Sequence, residues 1–177
     1  MSARLMVCVE GSPYRCERGI LVMIKIVNLI GVFALLGQGV WAQCSDEVVD
    51  LRWDGGNARF NVELANNEEE RSRGLMFVES MGRYDGMLFV YDSPSSVAFW
   101  MKNTLIPLDI LFLDEHGVVQ HVHENAVPGS LETIFGGDKI FVVLEVNGGL
   151  VGELGLAQGA EMRHPAFAET MPAWACE

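Results

Sequence analysis

Apolar and polar residues alternate between residues 59 and 65, so that every second side chain is apolar. An alternation with this period places the apolar side chains on one face and is typical of a strand whose other face is solvated. The turn-forming sequence Asp-Gly-Gly-Asn at residues 54–57 comes directly before this segment. We therefore predict a hairpin in which residues 48–53 form the partner strand.

Further apolar segments are bounded by turn-forming residues and are also predicted to be strands. They are residues 87–91, 96–101, 108–113, 118–123 and 139–146. Residues 92–94, Asp-Ser-Pro, form the predicted turn between the first two of these strands. The last segment contains the longest apolar run after residue 43 and is typical of a central strand buried on both faces.

Short helices interrupt this strand pattern. Residues 67–73 begin with an asparagine that can cap a helix, and glutamates follow in the first turn, where the helix dipole favours negative charge. Gly74 is suited to end this helix. Residues 150–154 are predicted to form one more helical turn, and the tail from His164 onward is predicted to be irregular. Together the elements predict an α+β, mainly β fold: a single compact domain with a curled, mostly antiparallel, barrel-like sheet and one or two short helices.

A different hydrophobic pattern precedes this domain. From Met23 the chain has one lysine, then a charge-free apolar stretch that ends at the small residue Ala42. This order is typical of a secretory signal peptide, whereas a membrane anchor needs ~20 apolar residues and this stretch is shorter. We therefore expect cleavage after Ala42, a periplasmic or secreted domain of residues 43–177, and no stable membrane span after cleavage. Residues 1–22 do not fit a signal peptide, and Met23 is the alternative start.

Removal of residues 1–42 makes the protein more acidic. The whole chain has a formal net charge of −12, and residues 43–177 contain 8 basic and 22 acidic residues, a formal net charge of −14. A surface this acidic repels phosphate backbones and anionic lipid headgroups. We therefore expect neither nucleic-acid binding nor binding to a membrane surface.

Two cysteines remain in the predicted exported domain, Cys44 near its start and Cys176 near its end. An even number of cysteines in an oxidising compartment is typical of a disulfide. In the chain-entropy model, a bridge that closes so long a loop stabilises the fold by about 4 to 5 kcal/mol. We predict that Cys44 and Cys176 are joined, and two unpaired thiols are the alternative.

Several motifs in a fixed order resemble the domain-of-unknown-function 192 family. They are Glu-Arg-Ser-Arg-Gly-Leu-Met at residues 70–76, Gly-Met-Leu-Phe at 86–89, Phe-Trp-Met-Lys-Asn-Thr at 99–104, Pro-Leu-Asp at 107–109, and later Leu144, Glu145 and Gly149. The resemblance covers residues 60–161 and implies a single β-rich domain, but it implies no reaction. The family often has Gly-Asp near the end of the domain, and this chain has Gly159 and Ala160 instead.

The strands predicted at residues 108–113 and 118–123 form a hairpin around residues 114–117, and the histidines near it are candidate metal ligands. His121 and His123 lie two residues apart in a predicted strand, so their rings share a face, and His116 and Glu124 are close in sequence. Two imidazoles and a carboxylate can bind zinc, but histidines beside a hairpin tip are also typical of a solvated face. We expect no metal and no cofactor, since no further ligand is identifiable.

The strongest candidate site follows the strand predicted at residues 96–101. Large apolar residues there give way abruptly to Lys-Asn-Thr, and a bend containing a proline leads into the next strand. The candidate ligand-binding residues are Arg73, Trp100, Lys102, Asn103, Thr104 and Asp109. In one interpretation Arg73 reaches Asp109 or Asn103, with Lys102 at the rim. In the other, the same residues form a structural corner in which polar groups bond loop amides.

Catalytic signatures for acyl hydrolases, nucleotide-binding proteins and thioredoxins are missing from the sequence. Our leading hypothesis is therefore an exported, non-catalytic module that binds a small polar ligand, an envelope component or a protein. The alternative is a small envelope hydrolase in which Lys102 or Asp109 acts as the base.

We predict that the exported protein begins at Gln43, because cleavage after Ala42 follows from the pattern of small residues at the end of the apolar stretch. Intact-mass measurement of protein purified from the native host should show this terminus. A cytoplasmic product that begins at Met1 would contradict export.

Overall fold

The computed structural model describes residues 44–176, so the predicted signal peptide lies outside the described residues. One sheet of seven strands dominates the domain, in the spatial order β5-β4-β6-β3-β2-β1-β7. The strands are β1 (Val48–Trp53), β2 (Gly56–Ala65), β3 (Asp85–Phe99), β4 (Leu108–Leu113), β5 (Val119–Ala126), β6 (Ile134–Asn147) and β7 (Glu161–Arg163). The helices are α1 (Glu68–Arg73) and α2 (Leu150–Leu154), with a short 3₁₀ helix at Pro165–Phe167. The predicted fold class is confirmed: the domain is mainly β, and its sheet curls into a half-barrel with two short helices.

Most neighbouring strands are antiparallel, and β2 and β3 form a parallel pair. A parallel pair needs a crossover connection between its strands. Here α1 and the following segment, residues 74–84, provide that connection. Asn67 caps α1 by accepting a hydrogen bond from the backbone N–H of Glu70, as the sequence pattern predicts.

The curl brings the two ends of the sheet together. Val118, just before β5, forms an antiparallel bridge with Glu161 of β7. The backbone N–H of Val119 also donates to Ala160 at 2.8 Å, and that of Met162 donates to Gly117 at 2.8 Å. The outer strands are therefore joined at one end, which gives the sheet its barrel-like form.

The central strand β6 separates two apolar clusters. Its residues Val142, Leu144 and Val146 pack in a cluster with Phe60 and other residues of β1, β2 and the C-terminal segment. Val143 belongs to a second cluster on the other face, which includes aromatic side chains of β3 and β4. The prediction that residues 139–146 lie in a strand buried on both faces is confirmed, and the strand is longer than predicted.

Two predictions about local structure were wrong. Residues 92–94 do not form a turn between two strands, because β3 continues through them and pairs with β6 on both sides, with register shifts between Val90 and Ser95. A strand irregularity of this kind tolerates Pro94, which has no N–H to donate. The C-terminal segment, expected to be irregular from His164, contains a 3₁₀ helix, and β7 just before it was not predicted.

The chain ends of the described domain lie side by side. Cys44 precedes β1 and Cys176 follows β7, and these two strands are antiparallel neighbours. The Cα atoms of the two cysteines are 5.9 Å apart, and the structure pairs them as a disulfide. This pairing agrees with the bridge predicted from the sequence. No helix within residues 44–176 is both long enough and apolar enough to cross a membrane.

Candidate functional site

Two loops, residues 100–107 and residues 127–133, are joined by backbone hydrogen bonds. The N–H of Met101 donates to Ser130 at 3.0 Å. The N–H of Gly129 donates to the carbonyls of both Met101, at 3.0 Å, and Thr104, at 3.1 Å. The loop after β3 and the loop after β5 therefore hold each other in place.

Asn103 connects these loops to the segment after α1. Its backbone has φ of 59°, in the left-handed region that asparagine adopts more readily than most residues. Its carbonyl accepts a hydrogen bond of 2.9 Å from the N–H of Phe77, which itself has φ of 65°. The Asn103 amide also contacts the sulfur of Met76. The two loops and the segment after α1 thus converge on Asn103.

Large apolar side chains are exposed where these segments converge. We call them the apolar loop surface; its members are Phe77, Trp100, Leu105, Val127, Leu131 and Phe135, whose exposed fractions range from 51% to 68%. Except for Phe135, each lies within two residues of one of the backbone bonds that join the segments. Phe135 pairs with Ala98, so it lies diagonally beside Trp100. Soluble monomers rarely expose contiguous apolar patches larger than a few hundred Å².

Lys102 is the cation at this surface. Its Nζ lies 5.1 Å from the centre of the Trp100 ring, at the distance of a cation–π interaction. Thr104, by contrast, is buried, and its carbonyl bonds Gly129. Of the predicted site residues, Trp100, Lys102 and Asn103 therefore lie together and reach solvent.

Asp109 is the second residue of β4 and has no exposed surface. Its Oδ1 accepts hydrogen bonds from the N–H groups of Asn125 at 2.8 Å and Gly149 at 2.9 Å. Its Oδ2 accepts a bond of 2.8 Å from the N–H of Val151, in the first turn of α2. Charge-assisted bonds of this kind satisfy amides that a helix start leaves unpaired. The carboxylate consequently joins β4, the end of β5 and the start of α2.

The prediction that Arg73 reaches Asp109 or Asn103 gains no support from the described domain: backbone amides bind the Asp109 carboxylate, and the Asn103 amide contacts Met76. Arg73 ends α1 with an exposed side chain. Its neighbour Arg71 packs inward instead: Nη1 donates to the Val90 carbonyl at 2.8 Å, and the guanidinium lies 5.2 Å from the centre of the Tyr91 ring. The sequence places both arginines in the last helical turn, so only the packing distinguishes them.

Glu145 was not among the predicted site residues, although it is the one acid within the long apolar run of β6. Only 4% of the residue is exposed, and its Oε2 has no hydrogen-bond partner in the described part of the chain. It pairs with Met87 of β3 and Ile110 of β4. Burial raises the pKa of its carboxyl from the ordinary value of 4.5 to about 8. Glu145 is therefore protonated at neutral pH.

The histidines give no support to the zinc hypothesis. The ring of His121 stacks on Phe112, with 5.7 Å between ring centres. A ring nitrogen of His116 bonds the carbonyl of Met171 at 2.8 Å. Across residues 44–176, no cluster of three or more histidine, cysteine, aspartate or glutamate side chains is arranged to hold a metal ion.

The fold and this site define a small half-barrel domain with a buried carboxylate corner and an apolar loop surface. The chain belongs to the DUF192 family, described as an uncharacterized ACR, whose family model matches residues 49–164. The family resemblance inferred from the sequence motifs is confirmed. A comparison with curated proteins gives no match.

Two crystal structures share this fold. One is a protein of unknown function from Novosphingobium aromaticivorans DSM 12444, with 36% identity and a TM-score of 0.64, matched over 65% of this chain and 82% of that chain. The other comes from Sinorhizobium meliloti 1021 and is described as "a putative transcription regulator". It has 37% identity and a TM-score of 0.66, over 70% of this chain and 97% of that chain.

We predict that Asp109→Ala lowers the free energy of unfolding by about 3 kcal/mol or more, because buried amides lose their acceptor. Urea unfolding followed by circular dichroism measures the change. Lys102→Ala is the control and should alter the stability by no more than ~0.5 kcal/mol, since its side chain is exposed. Equal stabilities of the two variants would contradict a structural role for Asp109.

We also predict a pH dependence that originates from Glu145. The folded chain holds this proton up to about pH 8, whereas the unfolded chain releases it near its ordinary pKa of 4.5. The stability contributed by Glu145 is therefore full below pH 4.5 and falls by ~1.4 kcal/mol per pH unit as the pH rises through this window.

Glu145→Gln should remove this pH-dependent decrease in the free energy of unfolding. The measurement is urea unfolding of wild type and variant at pH 5 to 8, and the result is the difference between their free energies of unfolding at each pH. The difference cancels the opposite contribution of His164, whose pKa burial lowers from 6.5. A difference in stability that does not vary with pH would show that Glu145 has an ordinary pKa.

Proposed function

We propose that this chain is an exported, non-catalytic binding module that contacts a protein partner through the apolar loop surface, with Trp100 and Lys102 at the centre. The observation that carries the proposal is the exposure of these large apolar side chains on loops that are hydrogen-bonded to each other. The sequence left three classes of partner open: a small polar ligand, an envelope component and a protein. A surface of this composition best complements a protein. Aromatic and apolar residues are typical of the core of such interfaces.

The charge distribution supports the same partner class. Residues 43–177 carry a formal net charge of −14, yet the two loops at this surface contain one lysine, Lys102, and one acid, Glu132, and the segment 74–84 adds one arginine, Arg83, and one acid, Glu79. A nearly neutral apolar surface on a strongly acidic protein can be desolvated at little electrostatic cost. The long-range charge elsewhere keeps the protein soluble and repels acidic partners.

The loop surface is also preorganised. Met101, Thr104 and Gly129 fix its two loops, and Asn103 fixes the segment that carries Phe77. Side chains that are held before binding lose less conformational entropy on association. A tryptophan held in this way, with a cation over its ring, is the type of residue that contributes most to binding energy.

The hydrolase alternative has no observation in its favour. Asp109 would have to give up three backbone hydrogen bonds before it could accept a substrate proton. Lys102 is exposed, whereas a lysine that acts as a base is normally desolvated to lower its pKa.

DNA is a poor candidate partner, although the Sinorhizobium relative is described as "a putative transcription regulator". Binding of duplex DNA depends on lysine and arginine side chains that neutralise phosphates. The acidic charge of residues 43–177 opposes this interaction, and Lys102 is the one lysine or arginine in the two loops of the surface. We therefore propose a protein partner for this chain.

Site-specific photo-crosslinking in the native host tests the proposal. We predict that benzoylphenylalanine at Trp100 forms a discrete adduct with one partner protein. The same group at Met171, an exposed apolar residue outside the loop surface, should form none. Leu131→Asp should abolish the adduct at position 100 because it places an unpaired charge in the interface, while the unfolding midpoint stays unchanged. Equal adducts at both positions, or none at position 100, would contradict the proposal.

A further inference from the structure

A groove of about 860 Å³ lies beside β2, between the turn that precedes β1 and the segment that follows α1. Leu75 and Val78 of the crossover segment form its apolar wall, and Leu64 of β2 also lines it. None of the six members of the apolar loop surface lines it. The groove is therefore separate from the proposed partner surface.

One edge of β2 is open in this groove. Strand β1 pairs with β2 only as far as Val48 and Asn61, and one more bond of 2.8 Å runs from the N–H of Val62 to the carbonyl of Glu47. Before that point the chain turns back on itself, since Ser45 bridges Val48. Beyond Val62, the chain that precedes β1 therefore no longer covers the edge of β2.

Leu64 carries the exposed backbone groups of this edge. The N–H of Asn61 points toward β3, where it donates to the carbonyl of Tyr84 at 2.9 Å, and the N–H of Val62 points the opposite way. Successive backbone groups alternate in direction along a strand, so the N–H and C=O of Leu64 point away from β3, as those of Val62 do. In the described chain these groups have no strand partner on that side. An added strand can pair with them.

The charges around the groove are all negative. Asp46, Glu47, Glu63 and Asp85 line it, and no lysine, arginine or histidine of the described residues does. Asp85 is committed to the local structure, because it accepts bonds from the Gly82 N–H at 3.0 Å and the Asn61 amide at 3.2 Å. The other three acids take part in none of the ion pairs found within residues 44–176.

The nearest arginine in sequence does not neutralise the groove. Arg83 forms its ion pair with Glu153 of α2. Three unpaired carboxylates in one groove raise the local negative potential. The apolar wall strengthens this potential further because its dielectric constant is low. The groove is therefore complementary to a cationic ligand that also has apolar parts.

We propose that this groove binds an extended segment of another protein that carries lysine or arginine side chains. The backbone of the segment pairs with Leu64, as in other complexes in which a peptide adds a strand to a sheet edge. Its cationic side chains meet Asp46, Glu47 and Glu63. Its apolar side chains, which alternate with the cationic ones, contact the apolar wall.

Fluorescence anisotropy with a labelled hexapeptide of alternating lysine and leucine tests the proposal, with alternating glutamate and leucine as the control peptide. The double variant Glu47→Gln, Glu63→Gln should weaken binding of the lysine peptide by about tenfold. The matched control is Glu115→Gln, Glu169→Gln, which removes the same charge from exposed positions outside the groove. This control should bind within about twofold of wild type. Equal weakening in both double variants would mean non-specific attraction and would overturn the proposal.

A second measurement tests the strand pairing. The same lysine peptide with N-methyl groups on alternate amides cannot form a ladder of hydrogen bonds, so its binding should be lost. Undiminished binding of the methylated peptide would overturn the strand-addition model. If spermidine then displaced the lysine peptide, the occupant of the groove would be a small cation. Sedimentation of the protein without peptide is the last control. If wild type is a dimer and the Glu47→Gln, Glu63→Gln variant is a monomer, the groove binds a second copy of the chain and the proposal is overturned.

Discussion

Strand β6 is the element on which the rest of the structure depends. It pairs with β3 on one side and β4 on the other, and apolar clusters cover both of its faces. Because both edges and both faces of β6 are occupied, larger side chains on the neighbouring strands have little space. A side chain at Gly86 would place its Cβ 2.3 Å from the Glu145 carbonyl, so the close approach of β3 to β6 requires glycine there. Glu145, whose backbone carbonyl makes this contact, also carries the buried carboxyl.

Asp109 continues this arrangement outward from β6. It pairs with Val146, and its carboxylate reaches the amides at the start of α2, just beyond the end of β6. One charged side chain thereby satisfies backbone groups at the end of β5, in the turn before α2 and in α2 itself. The polar residues Lys102 and Asn103 lie in the loop that precedes β4, where solvent can reach them. The polar residues between positions 102 and 109 look like one motif in the sequence. In the structure Thr104 and Asp109 are buried, whereas Lys102 and Asn103 are exposed.

The periodicity of the sequence was sufficient to predict most strands, because apolar alternation and turn residues are local signals. Strand β4 and helix α2 were predicted at the observed residues. Non-local features were missed for a physical reason. Strand β7 consists of three residues, and its pairing with β1 depends on the curl of the sheet. The isolation of Glu145 and the open edge at Leu64 likewise depend on which strands are neighbours, and no short window of sequence contains that information.

The parallel pair of β2 and β3 explains why the domain has two candidate binding surfaces. Because these strands run in the same direction, the chain must cross between them through α1 and residues 74–84. Leu75 and Val78 of this crossover pack on the sheet and form the wall of the acidic groove. Phe77, between them, is held outward by its left-handed backbone and its bond to Asn103. The connection that the parallel topology requires thus contributes side chains to the groove and to the apolar loop surface.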